Sequence, residues 1–161
     1  LCQNCVFKKN CIAFNNNKVN ELPIKEKKIS IRKRWFYYIV FEYKNEIAVC
    51  QRLEKDIWQG LYEFFLLERT KETDKEAILQ HLEKRKLLQK KNYELLSVSS
   101  LFKQKLSHQL IAGQFFKIKL AKKTIGLAAC EWIPASRIGK YAFPQFINQY
   151  FRKNSGQQSL F

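Results

Sequence analysis

Methionine is absent from all 161 residues, histidine occurs twice, and acidic residues are outnumbered by basic ones. Without a Met the chain is not expected to begin at a translation start, and Leu1 opens without the charged, apolar and small-residue regions of a secretory leader. The stretch therefore reads as the back end of a longer protein. Apolar runs such as Trp35 to Phe41 fall far short of the ~20 residues that cross a bilayer, so a soluble chain with no membrane partner is expected. Thirty Lys and Arg face fourteen Asp and Glu, a formal net charge of +16. A charge of that size draws in polyanions, DNA or RNA first. Acidic lipid is the weaker case, because no segment reads as a strongly basic amphipathic helix.

A fourth metal ligand is also missing where one is wanted. Cys2, Cys5 and Cys11 form a C-x2-C-x5-C run among Asn and Lys, too tight and too polar for a core. Thiolates at this spacing can converge on one metal centre, but tetrahedral zinc and the common iron–sulfur clusters take four protein ligands. No His or Cys follows Cys11 until Cys50, inside an apolar strand pattern, so the fourth ligand is expected upstream. Cys50 and Cys130 read as buried small apolar residues.

What remains is rich in core-forming material. At 46% hydrophobic and 14% aromatic, the chain can bury one substantial core. Residues 12–34 hold Asn, Lys and Pro23 without an apolar period and read as an extended connector. From Trp35 the sequence Trp-Phe-Tyr-Tyr-Ile-Val-Phe is apolar at both parities, as a central strand covered on both faces requires. Further strands are expected at Glu46 to Arg52, Gly60 to Leu67, Glu94 to Ser100, Gln109 to Leu120 and Ala129 to Ile133. Thr73 and Glu76 form a capping box ahead of a helix to about Leu88, with Ile78 and Leu82 on one face. Pro144 introduces a second helix, Gln145 to Phe151. Alternating strands and helices predict an α/β fold with a mixed sheet.

Specific motifs lie within this frame. Cys50-Gln51-Arg52, a short loop, and Ile57-Trp58-Gln59-Gly60-Leu61-Tyr62-Glu63-Phe64 resemble the run that opens the C-terminal domain of MutY-type adenine DNA glycosylases, itself similar to Nudix domains. Lys103-Gln104-Lys105-Leu106-Ser107-His108 resembles that family's basic Phe-Ser-His loop, with Leu106 for the Phe; Phe65 stands where the family has Pro. The cysteine spacing matches the last three ligands of the family's cluster loop.

The resemblance implies a Nudix-like mixed sheet flanked by helices, over residues 35–152. Residues 1–11 would close an iron–sulfur loop, 12–34 connect, and 153–161 form a flexible tail. Cys2, Cys5 and Cys11 would hold a [4Fe-4S] cluster in the parent protein, not in this stretch alone, with a fourth Cys seven positions before Cys2. Leu106, Ser107 and His108 would meet 8-oxoguanine opposite a mispaired adenine in duplex DNA, with Lys103 and Lys105 on phosphates. A strand-end histidine satisfied by backbone is the plain alternative for His108. Adenine excision would use carboxylates upstream, and this stretch itself would be non-catalytic. A bacterial, cytoplasmic, nucleoid-associated enzyme of base excision repair is implied.

Two rivals come from other classes. A working Nudix hydrolase needs two or three carboxylates one turn apart to hold divalent metal against a diphosphate. Leu79-Gln80-His81-Leu82-Glu83-Lys84 offers only Glu83, and Leu66-Leu67 replaces the expected glycine pair. A zinc-bearing nucleic-acid module without a repair role predicts a fourth ligand within the chain and aromatics on an exposed sheet face. The tail Gln157-Gln158-Ser159-Leu160-Phe161 resembles the Q-x-x-L-F pentapeptide by which bacterial repair proteins dock on the sliding clamp. Gln157, Leu160 and Phe161 would be its anchors, on an Asn154-Ser155-Gly156 tether.

Overall fold

A computed structural model describes residues 2–22, 30–89 and 92–155. The chain divides into two compact units, Leu1–Ser30 and Ile31–Phe161. In the first, two 3-10 turns, Cys2–Asn4 and Lys8–Asn10, precede a short helix α1, Ile12–Asn15. No residue of these elements is buried. The expected connector therefore begins as helix and turn: the Lys18 amide donates to the Ala13 carbonyl at 2.8 Å.

The second unit is built on β1, Arg32–Tyr43, which starts three residues before the expected Trp35. The cause is β7, Gln109–Leu120, which pairs with β1 in parallel from Arg32–Gln109 to Glu42–Lys119 and so draws the basic run into the sheet. Between them in sequence lie β2, Glu46–Gln51; β3, Tyr62–Glu63; β4, Phe65–Arg69; β5, Tyr93–Val98; and β6, Phe102–Lys105. With β8, Cys130–Pro134, they form one mixed eight-stranded sheet of order β3-β2-β1-β7-β5. β4 adds to β1, β6 to β7 and β8 to β2. Two helices flank it, α2 at Lys75–Lys84 and α3 at Gln145–Ser155. The expected mixed α/β sheet is present.

Both parities of β1 are buried, as its sequence requires. Phe36, Tyr38 and Val40 join a core with Phe115 and with Phe146, Ile147 and Tyr150 of α3. Tyr37, Ile39 and Phe41 join a second core with Ile78 and Leu82 of α2. At Gly113 of β7 a Cβ would lie 2.0 Å from the Phe36 carbonyl oxygen, so no larger residue fits.

Several expectations need correction. The run Gly60 to Leu67 is two strands, because Phe64 turns fully into the first core between β3 and β4. Asp74, not Thr73, caps α2: its Oδ1 accepts from the Ala77 amide at 2.7 Å, while the Thr73 hydroxyl donates to the Lys71 carbonyl. The helix stops at Lys84, and Lys86 reverses the chain at φ 59°. α3 runs on to Ser155, so the tail expected from Lys153 starts as helix; Lys153 Nζ donates to Ser100 Oγ at 2.7 Å. Cys50 and Cys130 are half-buried and disulfide-bonded, not free apolar fillers. They sit opposite each other on antiparallel β2 and β8, with Cα atoms 4.2 Å apart.

A network of charges closes the first core. The Arg34 guanidinium, 5% exposed, donates to Glu68 through Nε and Nη2 at 2.7 and 2.6 Å, and to both Asp56 oxygens at 2.9 and 2.7 Å. Arg52 donates to Asp56 at 2.9 Å and to Glu63 at 2.6 Å, where the Tyr38 hydroxyl also arrives. Asp56 thus ties β1 to the 52–61 loop, and the Arg34 hydrogen bonds hold its carboxyl down at about 2. A depressed carboxyl contributes stability above its unfolded value, 3.8, and loses it as pH falls toward 2. Denaturant melts across this window should show stability falling with pH in the unsubstituted chain, and a flatter profile from a lower starting point in Asp56→Asn.

Candidate nucleic-acid interface

The exposed turn between β6 and β7 gathers the residues expected to read a lesion. β6 alternates as Phe102, Lys103, Gln104, Lys105, Leu106, with even positions turned in and both lysines exposed. The Phe102 ring meets Phe115 edge-on at 5.4 Å, and Leu106 packs on the same core. The Leu106 amide donates to the Gln109 carbonyl at 2.8 Å, closing a tight turn with Ser107 and His108 exposed at its tip. The His108 carbonyl accepts from the Arg32 amide at 3.0 Å, fixing the turn to the start of β1. Leu106 is therefore an anchor, while Ser107, His108, Lys103 and Lys105 are free to meet a ligand. β6 was missing from the expected elements, although its period-two pattern is plain in Phe-Lys-Gln-Lys-Leu.

The aromatic motif ahead of β3 serves packing, as expected. Trp58 lies against Phe36 and Phe146, with ring centroids 6.0 and 6.2 Å away. It holds a left-handed backbone, φ 63°, and Gly60 follows at φ 82°. A tryptophan accepts that conformation only where surrounding contacts determine it, here the edge-on Phe36 ring, the stacked Phe146 ring and the Arg52–Asp56 ion pair. Arg34, Asp56 and Glu68 were not singled out in the sequence, since they are 22 and 34 residues apart and carry no local pattern.

The three N-terminal cysteines are free, Cys5 exposed and Cys2 and Cys11 half-buried. Among the described residues no group of three or more His, Cys, Asp or Glu is placed to hold a metal ion. Gln157, Leu160 and Phe161 lie outside the described residues. No helix among the described residues is long and apolar enough to cross a membrane.

Residues 36–153 match the NUDIX domain family. The chain belongs to that family. The adenine DNA glycosylase of Buchnera aphidicola subsp. Baizongia pistaciae (strain Bp) is 31% identical over 108 residues, 66% of this chain and 28% of that protein. The chain spans less than a third of the curated relatives' length. Among solved structures, the C-terminal domain of mouse MUTYH, determined in complex with human PCNA, superposes with TM-score 0.59 at 16% identity, over 80% of this chain and 92% of that one. A Nudix hydrolase from M. smegmatis, RenU, superposes with TM-score 0.55 at 10% identity, over 76% of this chain and 86% of that one. These two likenesses show the fold alone. Together with the glycosylase relatives, the family match bears out the resemblance read from the motifs, a MutY-type, Nudix-like C-terminal region.

Within this NUDIX domain, α2 has poor means for metal-dependent hydrolysis. Its ten residues carry two carboxylates, Glu76 and Glu83, two turns apart. Glu76 lies 3.3 Å from the Lys75 ammonium, and Glu83 accepts from the Tyr93 hydroxyl at 3.1 Å. Glu63, Glu68 and Asp56 are taken up by Arg34 and Arg52. A diphosphate-bound Mg²⁺ needs carboxylates free to face it. Magnesium-dependent turnover of 8-oxo-dGTP should therefore stay at the buffer background; turnover abolished by Glu83→Gln would contradict this.

Proposed function

We propose that this chain is the DNA-binding, lesion-reading C-terminal region of an adenine DNA glycosylase of base excision repair, recognising 8-oxoguanine opposite the mispaired adenine. The observation that carries the reading is the β6–β7 turn, which projects Ser107 and His108 from an anchored base next to the two exposed lysines of β6. Phosphate contacts position a protein on a duplex and base contacts specify. Lys103 and Lys105 serve the first purpose, Ser107 and His108 the second.

The chemistry at the tip suits the lesion. Guanine N7 is an acceptor, whereas 8-oxoguanine carries a proton there and a carbonyl at C8. A serine hydroxyl both donates and accepts, so it can follow either edge of the altered base. The Leu106 packing and the Arg32–His108 backbone bond hold the tip in place, which spares the loop part of the ordering cost on binding. Cleavage of the glycosidic bond is assigned to a part of the protein outside this chain, acting on an adenine flipped from the stack. Cys2, Cys5 and Cys11 fit three thiolate ligands of a [4Fe-4S] cluster by donor type and spacing, the fourth coming from outside these residues. Such a cluster would cross-link the loop that carries them.

Ser107→Ala with His108→Ala in the full-length protein should cut its preference for 8-oxoguanine over guanine opposite adenine by about five- to tenfold, one hydrogen bond being worth about 1 kcal/mol. The salt dependence of non-specific binding should stay as it was. Competition titrations with the two duplexes measure both, and unchanged discrimination would end the assignment.

A sliding clamp is the second proposed partner, through Gln157, Leu160 and Phe161. Support comes from the Q-x-x-L-F match and from the complex formed by the related mouse domain with PCNA. Calorimetry of the tail peptide against a bacterial clamp should give micromolar binding that disappears when Leu160 and Phe161 become Ala. An absence of heat at high peptide concentration would remove the clamp from the account.

A further inference from the structure

The sheet sorts its charges by face. On β1 the side chains of Arg32 and Arg34 share the face of Phe36, where Glu68 and Asp56 meet them. Lys33 and Trp35 share the opposite face, that of Tyr37 and α2. Register carries this second face across three more strands: Lys33 pairs with Leu110 and Leu110 with Lys105, while Trp35 pairs with Arg69 and Ala112, and Ala112 with Lys103. Lys33, Lys103 and Lys105 are exposed, and Trp35, Arg69 and Leu110 half-buried. None of these four cations, Lys33, Arg69, Lys103 and Lys105, forms an ion pair with a carboxylate among the described residues.

The basic surface does not end at the sheet. His81 on α2 is held below the usual imidazole range by partial burial and by the positive charges of Arg69, Arg85 and Lys84 around it. Lys84 and Arg85 are exposed. Beyond them a cavity of about 440 Å³ is lined by Arg85, Lys86, Lys122 and Lys123, with no carboxylate in its described wall. Lys123 alone of these has an acidic partner, Glu46 at 2.6 Å. Between Lys105 and Lys86 the surface thus carries Lys103, Lys33, Arg69, Lys84 and Arg85, with Glu76 and Glu83 of α2 held by Lys75 and the Tyr93 hydroxyl.

We propose that the outer face of α2, with Arg69, Trp35 and Lys33, is a second contact surface for the phosphate backbone of duplex DNA, continuous with the hairpin lysines. It rests on the DNA-binding reading above and extends the footprint from the turn to the helix. Spaced cations without counter-charges suit a phosphate chain, because each contact releases condensed counterions. This surface reads no base. It sets affinity and orientation, and leaves discrimination to Ser107 and His108.

The test is duplex binding by the whole chain between 50 and 200 mM salt, followed by fluorescence anisotropy. Three variants are compared with the unsubstituted protein: Arg69→Gln/Lys84→Gln/Arg85→Gln, Lys103→Gln/Lys105→Gln, and the single exposed change Lys84→Glu, which guards against a folding defect in the triple variant. The log–log salt slope should fall by about 2.7 units in the triple variant, each lost phosphate contact removing ~0.9. Affinity at low salt should drop at least tenfold for damaged and undamaged duplexes alike, and Lys84→Glu should weaken both. A slope unchanged in the triple and single variants, with the hairpin-lysine variant still lowering it, overturns the second surface and leaves the DNA reading standing. Absence of any salt-dependent duplex binding by the unsubstituted chain overturns both, as does preferential binding to phosphatidylserine vesicles.

Discussion

Every other part of the second unit depends on the burial of β1 on both faces and both edges. A strand in that position must pair its backbone groups, and from Phe36 to Phe41 every side chain of β1 is buried. β7 satisfies one edge along nearly the whole length, and β4 and β2 divide the other. Burying both faces then requires a helix on each, α3 over Phe36 and Tyr38, α2 over Tyr37 and Ile39. The two tyrosines bring hydroxyls into this interior, and each must find a partner. The Tyr38 hydroxyl donates to Glu63, and the Tyr37 hydroxyl accepts from the Thr73 amide at 2.7 Å. Through those bonds the central strand fixes β3 and the approach to α2.

The same strand explains how a chain of net charge +16 can carry a buried ionic network. Two arginines with planar, forked donors are taken out of water, and three carboxylates satisfy them bidentately or in pairs. The carboxylates are drawn to one side of the sheet by this requirement. The strands of the other side carry Lys33, Lys103, Lys105 and Arg69, none in an ion pair among the described residues. Neutralisation of Arg34 and Arg52 on the first face leaves these four cations without carboxylate partners on the second among the described residues.

The sequence makes the strands and the hydrophobic logic legible where the pattern is long and periodic. Trp35 to Phe41, Gln109 to Leu120 and the Ile78–Leu82 pair fall where their spacing says. Local signals that compete at close range are less readable. Thr73 and Asp74 are both good caps, and only the Tyr37 hydroxyl, 36 residues away, explains why Thr73 stays outside the helix. The break at Phe64 and the start of β1 at Arg32 are likewise set by partners, a core pocket and the β7 ladder, that no window of neighbours contains. The candidate reading loop was visible as a motif, Lys103 to His108, but its anchoring by Phe102 and Leu106 and its bond to Arg32 required the fold. The cysteine spacing is equally plain in sequence, and among the described residues it forms no metal-holding group.

The NUDIX scaffold positions a helix over one face of the sheet, and the chemistry follows from what that helix carries. Free carboxylates there would favour a divalent metal and repel an unmetallated phosphate chain. Lys84 at the end of the helix and Arg85 at its C-cap would favour the phosphate chain directly. One helix cannot do both, because the cations that attract a bare backbone also repel the metal ion that hydrolysis needs. The placement of charge at the end of α2 therefore bears on whether such a scaffold suits metal-assisted hydrolysis or, as proposed above, a phosphate chain. In this chain that charge agrees with the exposed, lysine-flanked turn at the far edge of the same sheet.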